Sequence, residues 1–235
     1  MSILITRPEP DASATTKRLV ELGYASLSLP ATKIIATGTS LPHTPFAALL
    51  ATSANAFRML QAADITRLKS RPLHCVGEKT AKIARDLGFL SVIVAGGSGA
   101  KLVSDIKTTY SPEAKFLYLT GTPRKPIVED ELRKAGYEVT SIELYHAQPV
   151  NAWPDAPPEV LRQVDAALHF SRASVETLLH LAEQSDVLAQ LKTIPHLCLS
   201  DDVASPLIKI HCPIVACSMA ANENSLLELL ARVLP

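Results

Sequence analysis

Long-range self-similarity is the feature that most constrains how this 235-residue chain can fold. Three kinds of strand–helix segment each occur twice, in the same order both times. The first, which we name the Gly-Tyr repeat, is a strand, a helix ending at a Gly-Tyr pair and a second strand, at residues 3–29 and 116–144. Its glycines stand where a helix would end in a left-handed turn. Internal repeats therefore indicate the domain organisation more directly than any local pattern.

Two further repeats complete each set. The Ser-turn repeat is a buried strand that ends at a serine and opens a helix, at residues 48–60 and 166–178. The Cys-strand repeat is a strand containing a cysteine, then a helix, a strand and a closing helix, at residues 73–106 and 196–230. Short apolar runs that alternate with helical stretches are typical of parallel sheets. The predicted fold class is α/β, with two Rossmann- or flavodoxin-like parallel-sheet domains.

The order of the repeats predicts a discontinuous domain. One set is complete in the middle of the chain, whereas the other has its Gly-Tyr repeat at the N-terminus and its remaining members in the C-terminal part. Each segment exposes a strand edge and an apolar helix face that only its own set can cover. Prolines in the stretch 149–158 predict an irregular loop there. We expect one domain from residues 1–34 and 151–235, an inserted domain from 37–144, and connectors near 31–38 and 143–151.

Composition excludes several classes of protein. Lysine plus arginine and aspartate plus glutamate number 23 each, so the basic excess typical of a nucleic-acid-binding protein is missing. No run approaches the ~18 apolar residues of a membrane helix, and the N-terminus does not resemble a signal peptide. The four cysteines include two in apolar runs, which predicts free thiols in a cytoplasmic protein. The seven histidines have no metal-ligand spacing, so no metal is expected.

Six short motifs resemble those of the uroporphyrinogen-III synthase family, and they extend over nearly the whole chain. They are ITRP at 5–8, TSANA at 52–56, VGEKTA at 76–81, GYEV at 136–139, LY at 144–145 and FSRAS at 170–174. Each motif is short, and their order and spacing, together with the split repeat, make the resemblance specific. The C-terminal half departs from the family, which often has Gly-Pro-x-Thr-Ala where this chain has Ser200, Asp201, Asp202, Val203 and Ala204.

The resemblance implies two α/β domains joined by a two-stranded connector, with the active site in the cleft between them. It implies a cofactor-free lyase that cyclises the linear tetrapyrrole hydroxymethylbilane and inverts its ring D, giving uroporphyrinogen III for haem synthesis. The enzyme is expected to be a monomer whose partner is this small molecule, with no nucleic acid and no membrane. A rival hypothesis is a non-catalytic bilobal binding or sensor protein for an anionic small molecule.

Candidate substrate-binding residues follow from the charge of hydroxymethylbilane, which carries an acetate and a propionate on every pyrrole. Helix N-termini favour anions by roughly 0.3–1 kcal/mol at an exposed end, and ligands of open α/β sheets bind at the carboxyl ends of the strands. Each candidate has a structural alternative: the serines as helix caps, Thr80 as a solvated helix start and the arginines as surface ion pairs. The candidates are Arg7, Ser53, Ala54, Asn55, Gly77, Thr80, Ser98, Gly121, Ser171, Arg172 and Ser174.

The chemistry implied by the resemblance needs little acid–base machinery. The pyrrole nitrogen expels the terminal hydroxyl, and the enzyme directs ring D to attack at its substituted carbon, which is mainly a matter of positioning. Tyr145 is the candidate catalytic residue, because a phenol with a pKa of ~10 stays protonated and can help the hydroxyl leave. The alternative is that Tyr145 only packs. Asp201 or Asp202 is expected to cap its helix, and substrate binding is not assumed there.

Overall fold

The computed structural model describes residues 1–153 and 158–234. The chain folds as two units, one of Met1–Lys33 with Gln148–Pro235 and one of Ile34–Ala147. Each unit holds one sheet flanked by helices. The predicted α/β class with two mostly parallel sheets is confirmed.

Eleven strands and eleven helices make up the described part of the chain. The strands are β1 (Ser2–Ile5), β2 (Ala25–Ser28), β3 (Thr32–Ala36), β4 (Ala48–Ala51), β5 (Leu73–Cys75), β6 (Val92–Val94), β7 (Lys115–Thr122), β8 (Glu138–Pro149), β9 (Ala166–His169), β10 (His196–Cys198) and β11 (Val215–Cys217). The helices are α1 (Asp11–Glu21), α2 (Ala54–Arg58), α3 (Ala62–Leu68), α4 (Glu78–Asp86), α5 (Gly99–Thr109), α6 (Ile127–Lys134), α7 (Pro158–Leu161), α8 (Arg172–Gln184), α9 (Leu188–Leu191), α10 (Asp201–Lys209) and α11 (Glu223–Val233).

The sheet of the first unit has the strand order β11-β10-β9-β1-β2, and its paired strands are parallel. The N-terminal strand β1 lies between β2 and β9, with Ile3 opposite Ser26 on one side and Ala166 on the other. Ile3 and Ile5 pack towards α1 and α11, whereas Leu4 packs towards α7 to α9. Because β1 is covered on both faces, its run of apolar residues is continuous, as expected for a buried parallel strand.

The sheet of the second unit has the strand order β3-β8-β7-β4-β5-β6. Leu49, Leu117 and Leu119 face the layer of α2 and α4, which we name the α2 face. Leu50 and Tyr118 are on the opposite face, where α5 and α6 pack. The chain passes from one unit to the other within β3 and again within β8.

A β-bulge interrupts the pairing of β7 with β8. Thr120 is opposite Glu143, but the next residue, Gly121, is opposite Tyr145, so Leu144 is an extra residue on β8. Side chains of a regular strand alternate between faces, which would put Leu144 and Tyr145 on opposite sides of the sheet. Both of them pack with the hydrophobic cluster of the α2 face. The extra residue therefore turns Tyr145 onto the α2 face, a common use of bulges.

Two further predicted features are the proline-rich loop and the acidic helix start. Of the loop predicted at 149–158, residues 154–157 lie outside the described residues, while Pro149 ends β8 and Pro158 begins α7. Helix α10 begins at Asp201, so its N-cap position belongs to Ser200 and neither aspartate is the cap. That expectation was wrong by one position, and both carboxylates lie in the first turn, where the helix dipole stabilises them.

Candidate functional site

Tyr145 lies near the carboxyl end of the second unit's sheet, with its ring directly over the backbone of Gly121. A Cβ atom added at Gly121 would overlap Cζ, Cε1 and Cε2 of that ring. Gly121 is buried, and Tyr145 is half-buried. The ring therefore covers the side of Gly121 on which any other residue would carry its side chain.

Ser53 is the neighbour of Tyr145 in the turn that follows β4. It is the N-cap of α2, and its Oγ accepts a hydrogen bond from the backbone N–H of Asn55 over 3.2 Å. The same hydroxyl lies beside the phenol of Tyr145 and favours its ionised form. Serine is favoured at this position because its short side chain reaches back to the first helical N–H groups. One serine thus caps a helix and lies beside a phenol.

Burial raises the pKa of Tyr145 above its ordinary value, and the hydrogen bond from Ser53 opposes that shift without reversing it. Desolvation acts in this direction because it disfavours the charged phenolate. At neutral pH the phenol is therefore protonated. The neutral hydroxyl of this partly buried side chain, which lies beside Ser53, can donate a proton to a departing group.

Arg124 is a functional candidate that the sequence analysis missed. Its Nε is 2.7 Å from Oε1 of the buried Glu129, and its Nη1 is 2.6 Å from Oε1 of Glu143. Nη1 also donates to the backbone oxygen of Gly121 over 3.2 Å. The hydrogen bond from Arg124 lowers the pKa of Glu143. The only signal in the sequence is the position of Arg124 just after a strand, which matches that of Arg7 after β1.

The remaining candidates of the second unit follow its strands in sheet order. Ser53 follows β4, Gly77 follows β5 and Ser98 precedes α5 after β6, and these three strands are neighbours. Because the strands are parallel, their carboxyl ends lie at one edge of the sheet. Gly77 and Ser98 are N-cap residues of α4 and α5, and the Oγ of Ser98 accepts from the N–H of Lys101 over 3.2 Å.

Three candidates at this edge are partly or wholly engaged with the protein itself. Ala54 and Thr80 are buried, with 6% and 5% of their surfaces exposed. The side-chain oxygen of Asn55 accepts from Nη1 of Arg58 over 2.6 Å. The backbone N–H of Asn55 donates to Oγ of Ser53, so the N–H groups of Ala54 and Thr80 in the first turns of α2 and α4 are the ones that remain chemically suited to an anion.

Arg7, in the first unit, is surrounded by partners from its own unit. Its Nη1 donates to Oγ1 of Thr15 over 2.9 Å and is 3.3 Å from Oε2 of Glu223. Its Nη2 is 3.3 Å from Oδ2 of Asp11, and the guanidinium carbon is 3.9 Å from the centre of the Phe170 ring. Only 11% of the side chain is exposed. The geometry favours the ion-pair alternative over substrate contact.

The second Ser-turn repeat ends in a closed pair of serines. The Oγ of Ser171 accepts from the N–H of Ser174 over 3.1 Å and donates to the Oγ of Ser174 over 2.8 Å. Ser174 is buried, whereas Ser171 is exposed. Arg172 is 44% exposed, and its Nε is 2.8 Å from Oε1 of Glu176. Ser171 and Arg172 are accessible to a ligand, but Ser174 is covered.

The described ranges, 1–153 and 158–234, contain no cluster of three or more His, Cys, Asp or Glu side chains arranged to hold a metal ion. Within those same residues, no helix has the length and apolar character needed to span a membrane. Of the histidines, His74, His169 and His196 are buried in strands. His169 and His196 hydrogen-bond to each other through Nε2 and Nδ1 over 2.9 Å.

Comparison with known proteins decides the family. The family model described as Uroporphyrinogen-III synthase HemD matches residues 13–228. The chain belongs to the uroporphyrinogen-III synthase family. The suspected family is thereby confirmed, and the enzyme is a cyclising lyase that converts hydroxymethylbilane into uroporphyrinogen III in haem biosynthesis. No finding supports the rival hypothesis of a non-catalytic binding protein.

Solved structures of uroporphyrinogen-III synthases share the fold. The crystal structure of uroporphyrinogen-III synthetase from Helicobacter pylori matches with a TM-score of 0.70 at 17% identity, covering 99% of this chain and 99% of that chain. The crystal structure of a mutant uroporphyrinogen III synthase from Thermus thermophilus matches with a TM-score of 0.60 at 17% identity, covering 100% of this chain and 98% of that chain. No curated protein matches the chain.

Proposed function

We propose that Tyr145 is the acid of the cyclisation and that the carboxyl edge of the second unit's sheet holds the reacting end of hydroxymethylbilane. The observation that carries this proposal is the protonated phenol of the partly buried Tyr145, whose ring lies over Gly121 and whose hydroxyl lies beside the helix-capping Ser53. A proton donor of this kind contributes typically about 10²–10⁴-fold to a rate. The remainder of the acceleration comes from holding one folded substrate geometry.

In the first step the pyrrole nitrogen pushes electrons towards the terminal carbon, and the carbon–oxygen bond breaks. The Tyr145 proton joins the leaving hydroxyl, which departs as water, and an electrophilic azafulvene remains. The substituted carbon of ring D attacks it, and the spiro intermediate then fragments and recloses with ring D inverted. The proton lost when the last pyrrole becomes aromatic returns to the phenolate. The enzyme has to favour the geometry of this attack over attack by the free carbon of ring D.

Substrate carboxylates are proposed to bind at backbone N–H groups rather than at a cluster of basic side chains. Supporting residues in the second unit are the turns of α4 and α5, helices of 9 and 11 residues whose N-caps are Gly77 and Ser98. In the turn of Ser53, Ala54 and Asn55 the N–H of Asn55 is occupied by Ser53, so the turn adds the N–H of Ala54, and the start of α4 adds that of Thr80. This binding mode agrees with a chain of zero net charge, because helix N-termini attract anions without formal charge.

In the first unit, we propose substrate contact for the accessible Ser171 and Arg172. Arg7 and Ser174 fit internal roles instead, because their polar atoms are occupied by the partners described above. Asp202, whose Oδ1 is 3.8 Å from Nη1 of Arg172, would reduce the positive potential at that turn. Replacing Asp202 with asparagine is therefore expected to lower KM if Arg172 contacts the substrate.

We further propose that the two units are separate domains, with boundaries near 34–37 and 144–151, and that the enzyme works as a cytoplasmic monomer. Supporting the compartment, all four cysteines are free thiols, and burial raises the pKa values of Cys75 and Cys198 to about 12. Free buried thiols are typical of proteins in reducing compartments. Analytical ultracentrifugation at micromolar concentration tests the monomer directly.

The experiment that tests the activity uses freshly prepared hydroxymethylbilane and separates the product isomers by chromatography. We expect isomer III in excess over isomer I, at a rate that rises with enzyme concentration. Formation of isomer I at the spontaneous rate would contradict the synthase activity. Heat-denatured enzyme is the matched control. Free hydroxymethylbilane still closes spontaneously when no active enzyme is present, and it then gives the uninverted isomer I.

A further inference from the structure

We propose that Gly121 and the β-bulge opposite it form a positioning device that holds the phenol of Tyr145 in its catalytic orientation. Gly121 is then a positioning residue that acts through Tyr145, in place of the substrate contact expected from the sequence. The inference rests on the proposed function for its effect on turnover, but its steric part is independent of that function.

The bulge sets the direction of the Tyr145 side chain. On β8, Ile142 and Leu144 pack on the α2 face, and a regular strand would send residue 145 to the opposite face. The register change between Thr120 and Gly121 inserts one residue and returns Tyr145 to the α2 face. That face also carries α2, whose N-cap, Ser53, lies beside the phenol of Tyr145.

Gly121 supplies the space that the redirected ring occupies. Its backbone is outside the left-handed region, so its conformation alone does not require glycine. The ring of Tyr145 takes the place of a Cβ, with three ring atoms inside contact distance of that position. The other glycines show no such overlap, since Gly99 meets only Val128 at 3.2 Å and the remaining ones meet nothing within 4 Å. Steric room for Tyr145 is thus the reason that glycine suits position 121.

The same geometry argues against direct substrate contact by Gly121. The residue is buried, its backbone is covered by the ring, and its carbonyl oxygen accepts from Arg124 over 3.2 Å. A substrate carboxylate would have to displace Tyr145 to reach it. The role of Gly121 is therefore exerted through the position of the phenol.

The first experiment replaces Gly121 with alanine. The added methyl group displaces the Tyr145 ring from Ser53, and we expect kcat to fall by about 10–100-fold, because a misplacement of about 1 Å costs up to about that much. KM should change by less than about threefold, since the groups proposed to bind carboxylates are untouched. With tyrosine labelled at Cζ by carbon-13, the NMR signal that is missing in Tyr145→Phe should move in Gly121→Ala. The signals of the other four tyrosines should stay.

Val139→Ala is the matched control for loss of stability alone. Val139 is buried on the same pair of strands and is paired with Phe116, at the end of β7 and β8 remote from the bulge. Its truncation weakens the same sheet without touching Tyr145. We expect a lower Tm, an unchanged kcat and an unmoved Tyr145 signal. An equal loss of kcat in Val139→Ala and Gly121→Ala would overturn the positioning role.

Double variants separate this inference from the proposed function. Gly121→Ala should lower kcat little further in a Tyr145→Phe background, because no phenol is left to misplace. In a Tyr145→Ala background the new methyl group has room, so the fall in Tm caused by Gly121→Ala should largely disappear. If Gly121→Ala alone does not fold, the Gly121→Ala/Tyr145→Ala chain should. Failure of that rescue, or equal losses of kcat in both backgrounds, would overturn the inference.

The proposed function fails separately if Tyr145→Phe turns over like the wild type. The steric claim is then decided by the NMR signal and by the Tm coupling between positions 121 and 145. A stationary Tyr145 signal together with additive Tm changes would overturn it. A moved signal with strong coupling would support it whatever the role of the phenol.

Discussion

Ser53 and Ser171 follow corresponding strands of the two sheets and cap the next helices, yet their hydroxyls have different second neighbours. Ser171 donates to Ser174, a buried residue of its own helix. The hydroxyl of Ser53 instead lies beside the phenol of Tyr145, a half-buried residue of β8. One copy of the repeat thus uses its polar groups to complete a helix start, while the other directs them to a side chain that a ligand can reach.

The arginines that follow β1 and β7 extend the comparison. Arg7 donates a hydrogen bond to Thr15 and forms ion pairs with Asp11 and Glu223. It lies over Phe170, so the aromatic ring beside its turn has no hydroxyl. Arg124 forms ion pairs with Glu129 and Glu143 and lies close to the phenol of Tyr145. The two units share a framework, and the difference between them concentrates the proposed chemistry in the second.

Loss of Arg7 is expected to have the largest effect on the first unit. Arg7→Met keeps most of the apolar volume but removes the cation that Asp11 and Glu223 share, while Glu223 keeps Arg18 at 3.7 Å. We expect the free energy of unfolding to fall by about 2–3 kcal/mol, since removing one partner of a poorly exposed ion pair is costly. Urea denaturation measures this change.

Turnover of Arg7→Met should stay near the wild-type value at a temperature where the variant is folded. Unchanged stability with a strongly raised KM would show instead that Arg7 binds substrate, and the contrast between the units would fail. Arg172→Met is the matched control: its guanidinium is 44% exposed and paired with Glu176, so its loss should leave the stability unchanged.

Acid should destabilise the first unit more than the second. Burial lowers the pKa values of His169 and His196, and of His74 in the second unit. Below the unfolded pKa of about 6.5 the unfolded chain binds protons that the folded chain does not, so stability falls as the pH falls. Between pH 6.5 and 5.5 each such histidine removes up to about 1 kcal/mol, because the unfolded histidine is half protonated at the start of this range.

Hydrogen exchange at pH 7 and pH 5.5, corrected for intrinsic rates, measures this loss for each unit. The first unit has two buried histidines and the second has one. We therefore expect protection from hydrogen exchange to fall more steeply with acid in the sheet of the first unit. A steeper loss in the second unit would contradict the inference that the His169–His196 pair is neutral in the folded state.

The smallest expected effects come from the two capping serines. Ser53→Ala and Ser171→Ala should each lower the free energy of unfolding by about 1 kcal/mol, because each loses a helix cap. Only Ser53→Ala should also lower kcat, since only it releases the phenol. Parallel measurements of Tm and kcat in the two variants test this difference. Equal kcat losses would remove the distinction between the two turns.

The fold class and the family could be predicted from the sequence, because repeats and short motifs are visible in the order of the residues alone. It also placed Ser53, Ser98 and Ser171 on turns that begin helices, since a serine after an apolar run has a local meaning. Arg7 shows where such reasoning ends. Its partner Glu223 is at the far end of the chain, and only pairing of β1 with β9 brings the two elements into one unit.

Gly121 and Arg124 show a second limit. From the sequence, Gly121 was expected to lie in an open turn that a substrate could approach closely. In the structure, a one-residue shift between β7 and β8 places the Tyr145 ring over its backbone. Such a shift leaves no periodic trace in twelve residues of β8. Arg124 went unnoticed because its significance depends on Glu129 and Glu143, which approach it from a helix and a neighbouring strand.

The most direct test of the phenol's role is the steady-state kinetics of Tyr145→Phe with hydroxymethylbilane, with product isomers separated. We predict that kcat falls by about 10²-fold or more, that KM and Tm stay near the wild-type values and that the remaining enzymatic product is isomer III. A kcat equal to that of the wild type in the folded variant would contradict a catalytic role for Tyr145.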